Sequence, residues 1–146
     1  MTHEFSLGGL KVEIVGREFP DEFEEYWDAN WLQVKTDCRD THARAGHQGP
    51  ILLTFEIEDF RKQLERVAAN ETEQAVLDGT EPGLKVFVSR NGASGHFMAA
   101  VELSDESQNH IQEFKFDLDE TELIAATKQL SRIMKAYPVR QGDQHV

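Results

Sequence analysis

The sequence predicts an α+β fold: an antiparallel sheet or pair of sheets, of about seven or eight strands in all, able to curl into a sandwich or an open barrel and covered by one central and one C-terminal helix. Three observations carry this prediction. Short segments with an apolar residue at every second position recur through both halves; residues that favour turns separate them at close spacing; and only two stretches change to a helical period.

Leu10, Val12 and Ile14 alternate with Lys11 and Glu13, the pattern of a half-buried strand. The Gly8-Gly9 pair before them is turn chemistry, so Phe5 through Leu7 reads as a short partner strand. Leu32, Val34, Thr36 and Cys38 alternate with Gln33, Lys35 and Asp37 as a second clear strand. "THARAGHQGP" (41–50) reads as a polar loop, and "ILLTFEI" (51–57) as a third strong strand. From about Asp59 the period lengthens: Phe60, Leu64, Val67 and Ala68 lie on one helical face, and Asn70 offers an end.

In the second half "EQAVLD", "LKVFVS", "HFMAAVEL" and "HIQEFKFDL" alternate with "GTEPG", "RNGASG" and "SDESQN", an antiparallel meander. Asp119, with Glu122 three residues on, opens the last helix; Leu123, Thr127, Leu130, Met134 and Tyr137 form its stripe and Pro138 stops it. The polar tail "VRQGDQHV" is expected to fray. There is no internal repeat, low-complexity tract or long linker, and residues 1–146 read as one α+β domain.

A chain of 146 residues with 39% hydrophobic content is long enough to bury roughly two thirds of the surface its unfolded form exposes. Its 27 acidic residues against 15 Lys and Arg, a formal charge of −12, argue against nucleic acid, whose binding requires Lys and Arg to displace counterions. Basic proteins stay open as partners, although acidic excess alone commonly serves solubility. The lone Cys38 excludes an internal disulfide and suits a reducing cytoplasm. With no basic leader followed by an apolar run, and no run of membrane-spanning length, no membrane contact is expected.

Signals for catalysis are weak. Cys38, His42 and His47 are residue types that ligate zinc or form nucleophile and base, but Cys38 falls on the apolar side of a strand and no second cysteine completes a ligand set. The acids mark no pair at a glycosidase spacing, "DAN" (28–30) does not continue into a calcium loop, and "RNGASG" lacks the lysine and helix of a phosphate loop. No catalytic residue, cofactor or metal is expected.

"EFPDEFEEYWDANWLQV" (18–34) is different: six carboxylates fall within residues 18–28 without a single Lys or Arg, beside Tyr26, Trp27 and Trp31. One reading makes the aromatics core anchors, with Trp27 or Trp31 mostly buried. The other makes them the desolvated centre of a contact whose rim is Glu22, Glu24, Glu25 and Asp28, with Asp105 and Glu106 from a second acidic span.

At "YWDANWL" (26–32), joined to the ending from "FDLDETEL" to "AYP" (116–138), the chain resembles the WapI-type immunity-protein-like family of small bacterial proteins, named after the immunity partner of a wall-associated polymorphic toxin. The resemblance implies a protein that neutralises a toxin, and the acidic, cofactor-free domain read from the residues suits a basic, nuclease-type toxin. Two alternatives stand beside it: a small-ligand-binding or enzymatic α+β domain, which would show a pocket of converging polar groups, and a homo-oligomeric accessory module, which would show a symmetric apolar interface.

Overall fold

The computed structural model describes residues 3–92, 95–104 and 110–142. Eight strands form two antiparallel meanders. The first sheet runs β1 (His3–Leu7), β2 (Leu10–Arg17), β3 (Trp31–Arg39), β4 (Arg44–Leu53); the second runs β5 (Gln74–Asp78), β6 (Leu84–Arg90), β7 (His96–Ser104), β8 (Ile111–Asp119). A short helix, α1 (Tyr26–Asn30), interrupts the β2–β3 connection. Longer helices, α2 (Thr54–Ala68) and α3 (Glu120–Ala136), follow the two sheets, and neither sheet closes into a barrel.

The order is thus four strands and a helix, twice. The long helices pack on each other, and each also lies along the first strand of the other unit's sheet, α2 on β5 and α3 on β1. Matching glutamines make the exchange. On α2, Gln63 accepts the Val76 N–H at 2.8 Å and donates to the Val76 carbonyl at 3.1 Å; on α3, Gln129 accepts the Ser6 N–H at 2.9 Å. Both contacts satisfy backbone groups on an edge strand that would otherwise lack a ladder partner.

Alternation along the strands supplies the core. Leu10, Val12, Ile14, Leu32, Val34 and Cys38 from the first sheet and Leu77, Val86, Val88, Ala99, Val101 and Phe114 from the second join Ile57, Phe60, Leu64, Leu123, Leu130 and Ile133 of the helices in one buried cluster. The Phe5 and Phe60 rings tie β1 to α2 at 6.2 Å between centroids. The β1–β2 turn lies against Phe116 of β8 so closely that a Cβ on Gly8 would stand 2.5 Å from it, and Gly8 has φ +59°, so glycine is required there twice over.

Three expectations need correction. Residues 41–50 are a loop only as far as 43: residues 44–49 pair with β3 in unbroken register, from Arg39↔Arg44 to Val34↔Gly49. The apolar run from Ile51 is not one strand either, because it ends at Leu53 and the helix starts at Thr54, five residues before Asp59. Glu56 fixes that start, its carboxylate accepting the Leu53 N–H at 2.9 Å and the Thr80 N–H at 2.6 Å. Nor does the tail fray up to Gly142, since it is bonded to α1 as described below. At the other end of α2, Asn70 adopts φ 64°, the left-handed conformation that terminates helices.

The opening of α3 follows the expected capping box, with Asp119 accepting the Glu122 N–H at 2.8 Å and Glu122 accepting the Asp119 N–H at 3.4 Å. Its buried stripe is shifted. Leu123, Ala126, Leu130 and Ile133 are buried, while Thr127, Met134 and Tyr137 lie at the margin.

Candidate functional site

The β2–β3 connection is built from its own carboxylates. Glu22 accepts the N–H groups of Glu24 at 3.0 Å and Glu25 at 3.2 Å, and the N–H groups of Glu25 and Glu24 hold its carboxyl below the usual glutamate range. Glu25 caps α1 by accepting the Asp28 N–H at 2.7 Å. Both acids therefore shape the loop, whereas Glu24 and Asp28 are exposed and project from it.

Asn30 locks this loop to the rest of the molecule. Its buried carboxamide donates to the carbonyls of Tyr26 and Arg140, both at 2.8 Å, and accepts from the Thr54 hydroxyl at 2.5 Å and the Arg140 N–H at 2.9 Å. Two arginines reinforce the junction. Arg17 donates to the carbonyls of Ala29 at 2.8 Å and Pro138 at 2.5 Å; Arg140 donates to those of Pro20 and Glu22, both at 2.8 Å, and lies 3.8 Å from the Phe23 ring centre. Burial, then Arg140 nearby, lowers the Arg17 pKa. The early "YWDANWL" stretch and the chain just beyond the late "AYP" stretch thus meet in space.

Neither tryptophan is a core anchor. Trp27 is 46% exposed and Trp31 half-buried, and the buried members of the turn are Ala29 and Asn30. The reason is geometric: α1 makes little more than one turn, so its two buried positions suffice to face the core and the bulky residues fall outside. Tyr26 stacks on Phe55 of α2 at 4.9 Å with planes 5° apart, and Trp27 meets the same ring edge-on at 5.4 Å. Phe19 (44%) and Phe23 (59%) are also exposed, leaving several aromatic surfaces on one acidic connection.

Beside this face runs an open groove of ≈ 570 Å³. Glu18, Phe19, Asp28 and Trp31 line it from the connection and β3, His47, Gln48, Pro50 and Ile51 from β4, and Glu81 and Pro82 from the β5–β6 turn. The lining includes three carboxylates and no Lys or Arg. Such a surface can desolvate an apolar side chain and pair a cation, by carboxylate or by aromatic face.

Of the expected binding residues, Asp28 and Trp31 enter the groove; Glu24, Tyr26 and Trp27 lie on the adjoining connection; Glu22 and Glu25 are committed to the loop's own hydrogen bonds. Asp105 and Glu106 lie outside the described residues. Phe19, Phe55, Pro50, Glu81, Pro82 and Arg140 were not foreseen. Phe19 and Phe23, sitting among acids rather than in an apolar period, were the readable signal.

Cys38 is buried on the inner face of β3, where burial, with Asp37 and Asp40 adding to it, pushes its thiol up to about 12. His42 is exposed in the β3–β4 turn and His47 lies on β4. Among the described residues no three His, Cys, Asp or Glu side chains gather as a metal site, and no helix is long and apolar enough to cross a membrane.

Fold and site define an α+β protein of two β4α units, carrying an acidic and aromatic groove where the first connection meets the turn of the second unit. The chain belongs to the immunity protein WapI-like family, which matches residues 4–138. That membership supports an immunity role. Among solved structures, the crystal structures of Trypanosoma bruciei MRP1/MRP2 include a chain similar to this one with a TM-score of 0.50 at 8% identity, covering 94% of this chain and 85% of that one, a likeness of fold alone. No curated protein matches the chain.

Proposed function

We propose that this protein is an immunity protein that binds a basic toxin and blocks it, the contact centred on the groove between Phe19, Trp31 and Pro50. One observation carries this reading: the groove combines Glu18, Asp28 and Glu81 with aromatic walls and lacks any Lys or Arg. The charge of −12 extends the same preference over long range, where complementary fields speed encounter. In this reading the protein acts by occlusion, with no cofactor and no chemical step of its own, in the cytoplasm, where its lone thiol stays reduced.

The test is complex formation with candidate toxin domains, taken first from the products of neighbouring genes, measured for the parent and for Phe19→Ala, Asp28→Lys and Glu81→Lys. Each substitution should weaken binding by about tenfold or more, in line with loss of a central contact or an apposed charge pair. A complex as tight as the parent's in all three variants would place the contact elsewhere.

A further inference from the structure

The four sheet edges are treated differently. Gln129 and Gln63 cover β1 and β5, and β8 carries Glu113, Lys115 and Asp117 along its length, a common safeguard against unwanted pairing. Along β4, residues 44–49 read Arg, Ala, Gly, His, Gln, Gly, half-buried at most, with Arg44, paired to Asp37 of β3, as the one formal charge. Among the described residues, no other strand pairs with its outer side and no backbone hydrogen bond closes it, although β4 touches β7 and a cavity separates Ala45 and Gly46 from Ser104, Ile111 and Gln112. The regular ladder then stops at a bulge: Leu32 pairs with Leu52 and Val34 with Gly49, leaving Pro50 and Ile51 out of register. Proline has no N–H to offer an added strand. The open edge therefore runs into the groove, and His47, Gln48 and Gly49 belong to both.

We infer that β4 receives an extended segment of the toxin as a fifth strand over residues 44–49, and that this pairing delivers a basic side chain of the segment into the groove. The inference rests on the toxin-binding reading above and names its mode. Backbone pairing would give affinity with little regard to sequence, and the groove would select the side chain. Six residues of edge span about 20 Å, enough for an added strand of ordinary length. A second copy of this chain fits less well, because edge-to-edge pairing would join two protomers of charge −12 and bring two acidic grooves onto one sheet. A basic segment meets Glu18, Asp28 and Glu81 with complementary charge.

Hydrogen exchange on the full chain, alone and with a toxin domain that it binds, sought first among the products of neighbouring genes, tests this. Outward-facing amides within residues 44–49 should exchange at least about tenfold more slowly in the complex, while the amides of Ser6 and Val76, already covered by glutamine, should change little. His47→Pro and Gln48→Pro form a paired control, because successive N–H groups on a strand point to opposite sides. One variant should melt like the parent yet lose at least about tenfold in binding, and the other should lose a ladder bond and stability. A complex that forms with exchange over 44–49 unchanged would overturn edge pairing while leaving the toxin-binding reading intact. Slowed exchange that grows with protein concentration and needs no toxin would show self-association and also overturn it. Absence of any complex would remove both readings together.

Discussion

Asn30 and Arg140, 110 residues apart, are joined by two hydrogen bonds: the Asn30 amide donates to the Arg140 carbonyl at 2.8 Å, and its oxygen accepts the Arg140 N–H at 2.9 Å. The same side chain serves Tyr26 and Thr54, so one buried residue ties α1, the start of α2 and the C-terminal segment. A buried polar group with all its capacity used rigidifies its surroundings, and losing it strands every partner at once.

Asn30→Ala should therefore cost about 3–5 kcal/mol, since a buried hydroxyl and several backbone groups lose partners worth about 1–3 kcal/mol each, partly recovered by water. Asn30→Asp is nearly isosteric but swaps the two donors for an acceptor facing two carbonyls, and it should fail similarly near neutral pH. Urea melts read both. A midpoint for Asn30→Asp close to the parent's would show that shape, not hydrogen bonding, matters there.

Trp27→Ala should lower stability by only about 1 kcal/mol, because an exposed ring loses little burial, whereas Phe60→Ala, emptying a fully buried site, should cost about 3–5 kcal/mol. Equal losses in parallel denaturant melts would contradict the observed burial.

What the sequence revealed and what it hid share a physical cause. Strands with a core face, such as residues 10–14 and 32–38, were legible because burial imposes a period of two. β4 was not, since at a sheet edge its inward positions, Ala45, His47 and Gly49, are only half-buried and include no large apolar residue to reveal the alternation. The start of α2 was masked by an apolar run that serves as strand to Leu53 and then as helix, although the stripe Ile57, Phe60, Leu64 and Val67 extends back past Asp59. The doubled β4α plan was invisible because Gln63 and Gln129 perform the same task in unlike surroundings. For the site, acidity and aromaticity pointed to the right connection, but which acids face outward depended on backbone N–H groups that no pattern of side chains displays.

Alkaline pH should expose the burial of Cys38. Its folded-state thiol titrates at about 12 against an ordinary 9.0, so the folded chain holds the proton longer than the unfolded chain does. Stability is then undiminished below about pH 9 and declines as pH rises toward 12, by at most about 1.4 kcal/mol per pH unit from this group. Cys38→Ala, compared between pH 8 and 11 in urea, should show the shallower decline; parallel declines would mean that the thiol stays protonated equally in both states.

Charge reversal must respect the loop's construction. Glu25→Lys removes the α1 cap and Glu22→Lys releases two N–H groups, so a loss of binding in either would not separate charge from shape. The exposed side chains of Glu24 and Asp28, the latter also lining the groove, take no part in those hydrogen bonds, which makes the double substitution Glu24→Lys, Asp28→Lys the cleaner probe. Against a basic toxin domain that the parent binds, it should slow association by about tenfold at low salt and flatten the dependence on salt, because long-range attraction acts chiefly on encounter. Trp27→Ala should instead speed dissociation, as loss of a desolvated anchor does. Rates taken by surface capture at two salt concentrations distinguish the two. Association indifferent to both the reversal and the salt would mean that the acids of this connection serve only to build it.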